Sequence, residues 1–345
     1  MERMPIGKFW NLIGKFSKLL EINDAGVRPE GKINPMTQRE LETQQEQYQR
    51  AELVERMARA IPADGVIQPL QGLRLARSSK MRQKVYGVSD PTFCVIAQGC
   101  KEVYLGGNPY QYDPYNYLLA TAELPIVSWV LEASEERPYL GLQLHLDAAI
   151  VGGVMVEIGQ LPPQNQKAVK AIEVSPLDST LLDATVRLVR LLDFPTEARV
   201  LLPLITREVI YRLLVGEQGH RLRQMTVLGG HTYQIAQAVE KICREFNEPL
   251  YVEEIARGIG MSVSSFHHHF KEVTAMSPLQ FQKQLRLQEA RRLMVGEALD
   301  AATAGYRVGY DDASQFNREY KRLFGVTPMR DVERLCEAVE AGADI

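Results

Sequence analysis

Phe266-His267-His268-His269-Phe270-Lys271-Glu272-Val273-Thr274-Ala275-Met276-Ser277-Pro278 and Phe316-Asn317-Arg318-Glu319-Tyr320-Lys321-Arg322-Leu323-Phe324-Gly325-Val326-Thr327-Pro328 follow one pattern, fifty residues apart. The paired aromatics, the aromatic-Lys step and the closing Ser/Thr-Pro all recur, and an internal repeat fixes architecture before any single residue does. Phe266 and Phe270, like Phe316 and Tyr320, stand four apart and so share one helix face, while the residues between them point outward. A short apolar-periodic segment precedes each copy: Val252, Ile255, Ala256 and Ile259 before the first, Ala301, Ala304 and Val308 before the second. Gly260 and Gly309 end those segments, and Ser262 and either Asp311 or Asp312 suit the N-caps of the helices that follow.

Helix, glycine turn, helix is the helix-turn-helix pattern. A single copy reads equally well as an ordinary αα-hairpin. Two copies in one chain are what reading two neighbouring half-sites of DNA requires. Between them, Ser277-Pro278 supplies an N-cap followed by proline at the first helical position. The helix it starts runs to about Val295, with Leu279, Phe281, Leu285, Ala290, Leu293 and Met294 apolar. A connector of that length spans roughly 25 Å, which suits two successive major grooves.

With these residues in view, the chain resembles the AraC/XylS transcription regulators. The resemblance rests on Ile255-Ala256 with Gly260, the Phe266 to Pro278 copy, Arg286-Leu287, Ala290-Arg291-Arg292-Leu293-Met294, and the run from Val308-Gly309-Tyr310 through Ser314-Gln315-Phe316 to Thr327-Pro328. It covers about the last third of the chain. Two departures stand out: Gly305 where the family usually has alanine, which predicts a looser helix, and the unusual triple histidine 267–269 in a recognition helix.

At 345 residues the chain has room for two domains with separate cores. Hydrophobic residues make up 45% and charged residues 24%, with a formal net charge of −3. Phosphate neutralisation calls for local positive charge. Residues 221–334 carry 16 Lys/Arg against 14 Asp/Glu, leaving that region at +2 and the remainder at −5. Within it Lys283, Arg286, Arg291 and Arg292 are set against Glu289 alone. The predicted footprint is basic but modest. Cys94, Cys100, Cys243 and Cys336 have no metal-ligand spacing and suit a reducing cytoplasm better than a disulfide framework. No apolar run reaches membrane-spanning length.

Towards the N-terminus, Ile6, Phe9, Trp10, Ile13, Phe16, Leu19 and Leu20 recur at helical spacing with lysines between them, the pattern of a basic helix lying on a membrane surface. The competing reading is a disordered or non-native extension over residues 1–35, with Met36 as an alternative start. Thr37 to Ala60 reads as one polar helix. From 62 to 147 the period changes: Thr92 to Leu105 and Asn116 to Leu131 are β-branched and aromatic, and Leu140, Leu142, Leu144 and Leu146 alternate with Gly141, Gln143 and His145. These are antiparallel strands of a small barrel or sandwich. Helical periodicity returns over 177–192 and 197–215, apolar over enough circumference to pack on the sheet and on a partner.

This layout also resembles the AraC-type N-terminal sensor domain, through Tyr86-Gly87, Pro91, Cys94 to Gly99, Lys101, Tyr112-Asp113, Tyr117-Leu118 and Leu124-Pro125. The two resemblances together imply an α+β chain of two domains. A cupin-like β-barrel with a helical dimerisation element occupies 36–215, 216–230 is a linker, and an all-α domain with two helix-turn-helix motifs joined by a long helix occupies 231–335. An acidic tail, 336–345, follows.

The outward residues of the two recognition helices are the expected DNA readers: Ser264, Ser265, His267 and His268 in the first, Ser314, Gln315, Asn317 and Arg318 in the second. Arg grips guanine bidentately and Asn or Gln adenine, at about 1 to 3 kcal/mol per good pair. Lys271, Lys321 and Arg322 are expected on phosphates, setting register. No metal is expected at His267 to His269, because consecutive helical side chains diverge by about 100°. His145 is the sole histidine before Gly219, too few for a catalytic metal barrel. The effector site is open, with Cys94, Cys100, Tyr104, Trp129 and His145 as its weak candidates, the two thiols raising a redox signal. No cofactor and no catalytic residue are expected.

The expected function is a cytoplasmic, homodimeric, sequence-specific DNA-binding transcription regulator. Its partners are double-stranded DNA at two adjacent half-sites and a small-molecule effector, with RNA polymerase left open as a further one. The rivals are a metal- or thiol-dependent enzyme barrel fused to a DNA-binding module, and an architectural DNA binder without an effector.

Overall fold

A computed structural model describes residues 38–81, 84–159, 169–226 and 231–340. The expectations for the 1–35 extension, the end of the linker and the last five residues of the tail lie outside them. Residues 1–43 and 44–345 divide into separate units, and the second holds both sheets and the helices that pack on them.

Ten strands follow helix α1 (Gln38–Ala60): β1 (Gly65–Leu70), β2 (Leu73–Ser78), β3 (Val85–Ser89), β4 (Thr92–Gln98), β5 (Cys100–Leu105), β6 (Asn108–Tyr112), β7 (Asn116–Ala120), β8 (Leu124–Glu132), β9 (Tyr139–His145) and β10 (Ile172–Pro176). They form two antiparallel sheets, six strands in the order β1-β2-β9-β4-β7-β10 and four in the order β3-β8-β5-β6. The sheet region therefore runs past the expected end at 147. After α2 (Ala148–Glu157), β10 returns and pairs with β7 from Ile172 opposite Ala120 to Pro176 opposite Asn116. Five residues bounded by Ala171 and Leu177 carry too short a pattern to stand out beside the long helices that flank them.

The Leu140, Leu142, Leu144 and Leu146 stripe is fully buried, as alternation predicts. It packs with Phe93 and Val95 against Leu53 and Met57 of α1, Leu182 and Val186 of α3 (Ser179–Arg190), and Val209 and Leu213 of α4 (Pro195–Val215). The opposite faces of the two sheets enclose Cys94, Ile96, Val103, Leu105, Tyr112 and Leu118. That second core does not stop at the sheets. It is continuous with Phe266, Phe270 and Val273 of the first helix-turn-helix unit and Phe281 of the connector helix.

Part of the stretch expected to be a linker is helical. Residues 219–224 form a short helix, α5 (Gly219–Gln224), with Leu222 and Met225 buried in the first core. Gly219 serves close packing: a Cβ would lie 1.9 Å from the Leu214 carbonyl oxygen.

The described residues that follow are mainly helical: α6 (His231–Arg244), α7 (Val252–Gly258), α8 (Val263–Thr274), α9 (Pro278–Gly296), α10 (Ala301–Arg307), α11 (Ala313–Phe324) and α12 (Pro328–Glu340). The caps follow the sequence. Ser262 Oγ accepts from the Ser265 amide, Asp312 caps α11 through the Ser314 amide, and Ser277 with Gln280 closes a reciprocal capping box on α9. Gly260 and Gly309 turn at φ +73° and +90°. The two recognition helices end alike in the left-handed region, at Ala275 (φ 58°) and Gly325 (φ 80°).

Gly305 lies inside α10. It is buried, and a Cβ there would stand 3.1 Å from Cγ of Phe316, so the missing methyl lets the second recognition helix seat closely.

Candidate nucleic-acid interface

The repeat anchors both recognition helices identically. Phe266 and Phe270 of α8, and Phe316 and Tyr320 of α11, are fully buried. Ring contacts extend each pair, Phe270 to Phe281 and Phe316 to Tyr310. Burying one face of each helix this way presents the other. Ser264, His267, His268 and Lys271 are exposed on α8, and Ser314, Gln315, Asn317, Arg318, Lys321 and Arg322 on α11. Ser265 is half-buried and its amide is taken by the cap. Gln315 leans on Glu319 at 3.4 Å. Among the described residues, Asn317, Arg318, Lys321 and Arg322 make no side-chain hydrogen bond or ion pair within the chain. Such donors are available to an external acceptor.

The connector's basic residues behave otherwise, correcting the footprint read from sequence. Lys283 binds Glu319 at 2.6 Å, and Arg292 pairs with Glu289 and Glu297. Arg286 donates to the carbonyls of Phe246, Asn247, Glu248 and Gly309. Arg291 is buried against Asp331. A basic residue on a helix is not a free charge when a neighbouring helix supplies an acceptor, and the partners here come from positions up to 40 residues away. On the two recognition helices the exposed, unpaired positive charge is that of Lys271, Arg318, Lys321 and Arg322.

His268 and His269 do converge, through a residue outside the histidine run. Glu272 lies within reach of both, Oε1 3.3 Å from His268 Nε2 and Oε2 2.9 Å from His269 Nδ1, and the three ligand atoms sit within 4.8 Å of one another. His231 stacks on His269 with ring centroids 4.0 Å apart. The expectation of no metal now stands on narrower ground. The set offers three ligands, with His268 66% exposed, where closed structural zinc sites use four.

A cleft of 530 Å³ opens beside the sheets, lined among others by Arg74, Gly87, Lys101, Ser128, Gln143 and His145. Of the five effector candidates it takes only His145. Tyr104 and Trp129 stack on each other at 4.9 Å with Lys84 over the indole, away from the cleft lining. Cys94 and Cys100 are buried, and burial pushes both thiols up, opposite to the thiolate that a reactive cysteine needs. Gln143 and Arg74 are directly opposed on β9 and β2. The sequence carried that signal in the polar alternates of the Leu140 to Leu146 stripe, Gln143 and His145. Among the described residues no helix is long and apolar enough to cross a membrane.

Residues 69–221 match the model of the AraC-type transcriptional regulator N-terminus, and residues 255–334 that of a helix-turn-helix domain. The chain is 28% identical over 123 residues to the HTH-type transcriptional regulator ArgR of Pseudomonas aeruginosa, covering 36% of this chain and 37% of that one. It is 23% identical to the thermoregulatory protein LcrF of Yersinia pestis, over 71% of this chain and 90% of that one. Several of the curated relatives are thus matched over less than half of their length. Among solved structures, ToxT of Vibrio cholerae O395, bound to a naphthalenyl butenoic acid, superposes with a TM-score of 0.50 at 12% identity, over 75% of this chain and 97% of that one. That likeness concerns the fold. With the two domain types in this order and a duplicated helix-turn-helix, the chain belongs to the AraC family of transcriptional regulators.

Proposed function

We propose that the chain is a sequence-specific DNA-binding transcription regulator acting in the cytoplasm, not an enzyme, and that its N-terminal domain answers a small molecule held in the 530 Å³ cleft. One observation carries the DNA reading: two recognition helices of identical build flank a single 19-residue helix, each with its polar face exposed. At about 1.5 Å per residue α9 is about 28 Å long, a fit to successive major grooves. Arg318, Asn317, Ser314 and Gln315 read bases from α11, and Ser264, His267 and His268 from α8, with Ser265 at the edge of that face. Lys271, Lys321 and Arg322 bind phosphate.

The functional unit is a homodimer. Val200, Leu204, Tyr211 and Val215 recur at helical spacing on α4 and are all exposed, an apolar stripe suited to a second copy. RNA polymerase is a further partner of the DNA-bound form. The test is base preference: selection from a randomised duplex pool by the wild type and by Arg318→Ala. Loss of preference at one base pair supports the assignment; uniform weakening at all sequences makes Arg318 a phosphate contact.

A further inference from the structure

The cleft and the second helix-turn-helix unit share a strand. On β3, Val85, Gly87, Val88 and Ser89 line the cleft, and Tyr86 does not. Tyr86 instead reaches the end of α11. Its ring meets Phe324 edge-on at 4.6 Å and its hydroxyl donates to the Leu323 carbonyl at 3.4 Å. Arg291 of α9 lies over both rings, 5.2 Å from Tyr86 and 5.1 Å from Phe324. The neighbouring strand repeats the arrangement. Ile126 and Ser128 of β8 line the cleft, while the Pro125 and Ile126 carbonyls accept from Gln284 and Gln288 of α9.

We infer that β3 couples occupancy of the cleft to the placement of the second helix-turn-helix unit, with Tyr86 as the positioning residue. The first unit is held differently, through the apolar core it shares with the sheets. The coupling therefore acts on one half-site and not on both. None of the α11 reading residues is covered by the seam, so it orients that face without masking it. The docked seam also leaves Gln288 Oε1 buried without a hydrogen-bond partner among the described residues, an acceptor that an undocked state would return to water. Two arrangements of comparable stability are what a coupling of this kind needs.

The inference rests on the regulator reading, and its test separates the two. Gly87 has nothing within 4 Å of where a Cβ would sit, so Gly87→Leu puts bulk into the cleft from β3 itself. Full-length wild type, Gly87→Leu, Tyr86→Ala and the double variant are compared by hydrogen exchange of residues 313–340 and 263–274, and by footprinting of each half-site. Tyr86→Ala should speed exchange in 313–340 and leave 263–274 unchanged. Gly87→Leu should change second half-site affinity by about 5-fold or more, and that change should vanish in the Tyr86→Ala background. Additive, uncoupled effects in exchange overturn the inference even if DNA binding is intact. Coupled exchange with no footprint in any variant leaves the seam standing and defeats the DNA reading.

Discussion

Arg291 donates through Nε to Oδ2 of Asp331 at 2.7 Å, and Asp331 is wholly buried. Tyr320 donates to the same oxygen at 2.9 Å and Arg334 to the other at 2.8 Å. One carboxylate thus ties the connector, the second recognition helix and α12 together. Asp331→Asn should strand the Arg291 guanidinium in the interior and destabilise the domain by about 3 kcal/mol or more. Urea unfolding measures it; a change below about 1 kcal/mol would mean that Arg291 finds water instead.

Glycines 305 and 309 both exclude a Cβ, but to different degrees. Gly305→Ala gains about 1 kcal/mol of helix propensity but brings a methyl against the buried, ring-packed Phe316, so the melting temperature should not rise. Gly309→Ala places Cβ 2.1 Å from the Asn247 carbonyl at a φ of +90°. A loss of about 2 kcal/mol or more should follow, and thermal melts of both variants check the contrast.

The repeat, the caps, the connector and the buried leucine stripe were legible because each depends on residues near in sequence. What was not legible depends on partners far away. Nothing around Arg286 or Arg291 announces that one caps carbonyls from Phe246 to Glu248 and the other a carboxylate 40 residues on. Tyr86 reads as another aromatic of a strand, and its contact with Phe324 spans over 200 positions. The convergence of His268 and His269 on Glu272 was within reach of helical spacing, since Glu272 is i+4 from one and i+3 from the other.

Acid should loosen the N-terminal domain. Hydrogen bonding to Arg190, and then to Arg56, holds Glu52 at about 2, and Arg187 with Arg212 holds Glu208 at about 2, against an ordinary 4.5. Depressed carboxylates stabilise fully above their ordinary pKa and lose that contribution as pH falls towards the folded value. The melting temperature should fall between pH 4.5 and 2. Glu52→Gln should flatten that dependence, at a cost near neutral pH of about 1 kcal/mol for a partly exposed pair.

Phosphate and base contacts differ in salt. Arg322→Ala should weaken binding uniformly across sequences and lower the salt slope by about one, whereas Asn317→Ala should relax preference at a single position by about 1 to 3 kcal/mol. Titrations at several salt concentrations on matched and mismatched duplexes read both.

The most direct measurement is a footprint of the purified protein on DNA upstream of its own and neighbouring genes, with a scrambled duplex at the same salt. Two protected major-groove segments about 10 base pairs apart for each protein chain are predicted. Protection of one segment alone, or equal binding to the scrambled duplex, would contradict a paired, sequence-reading interface.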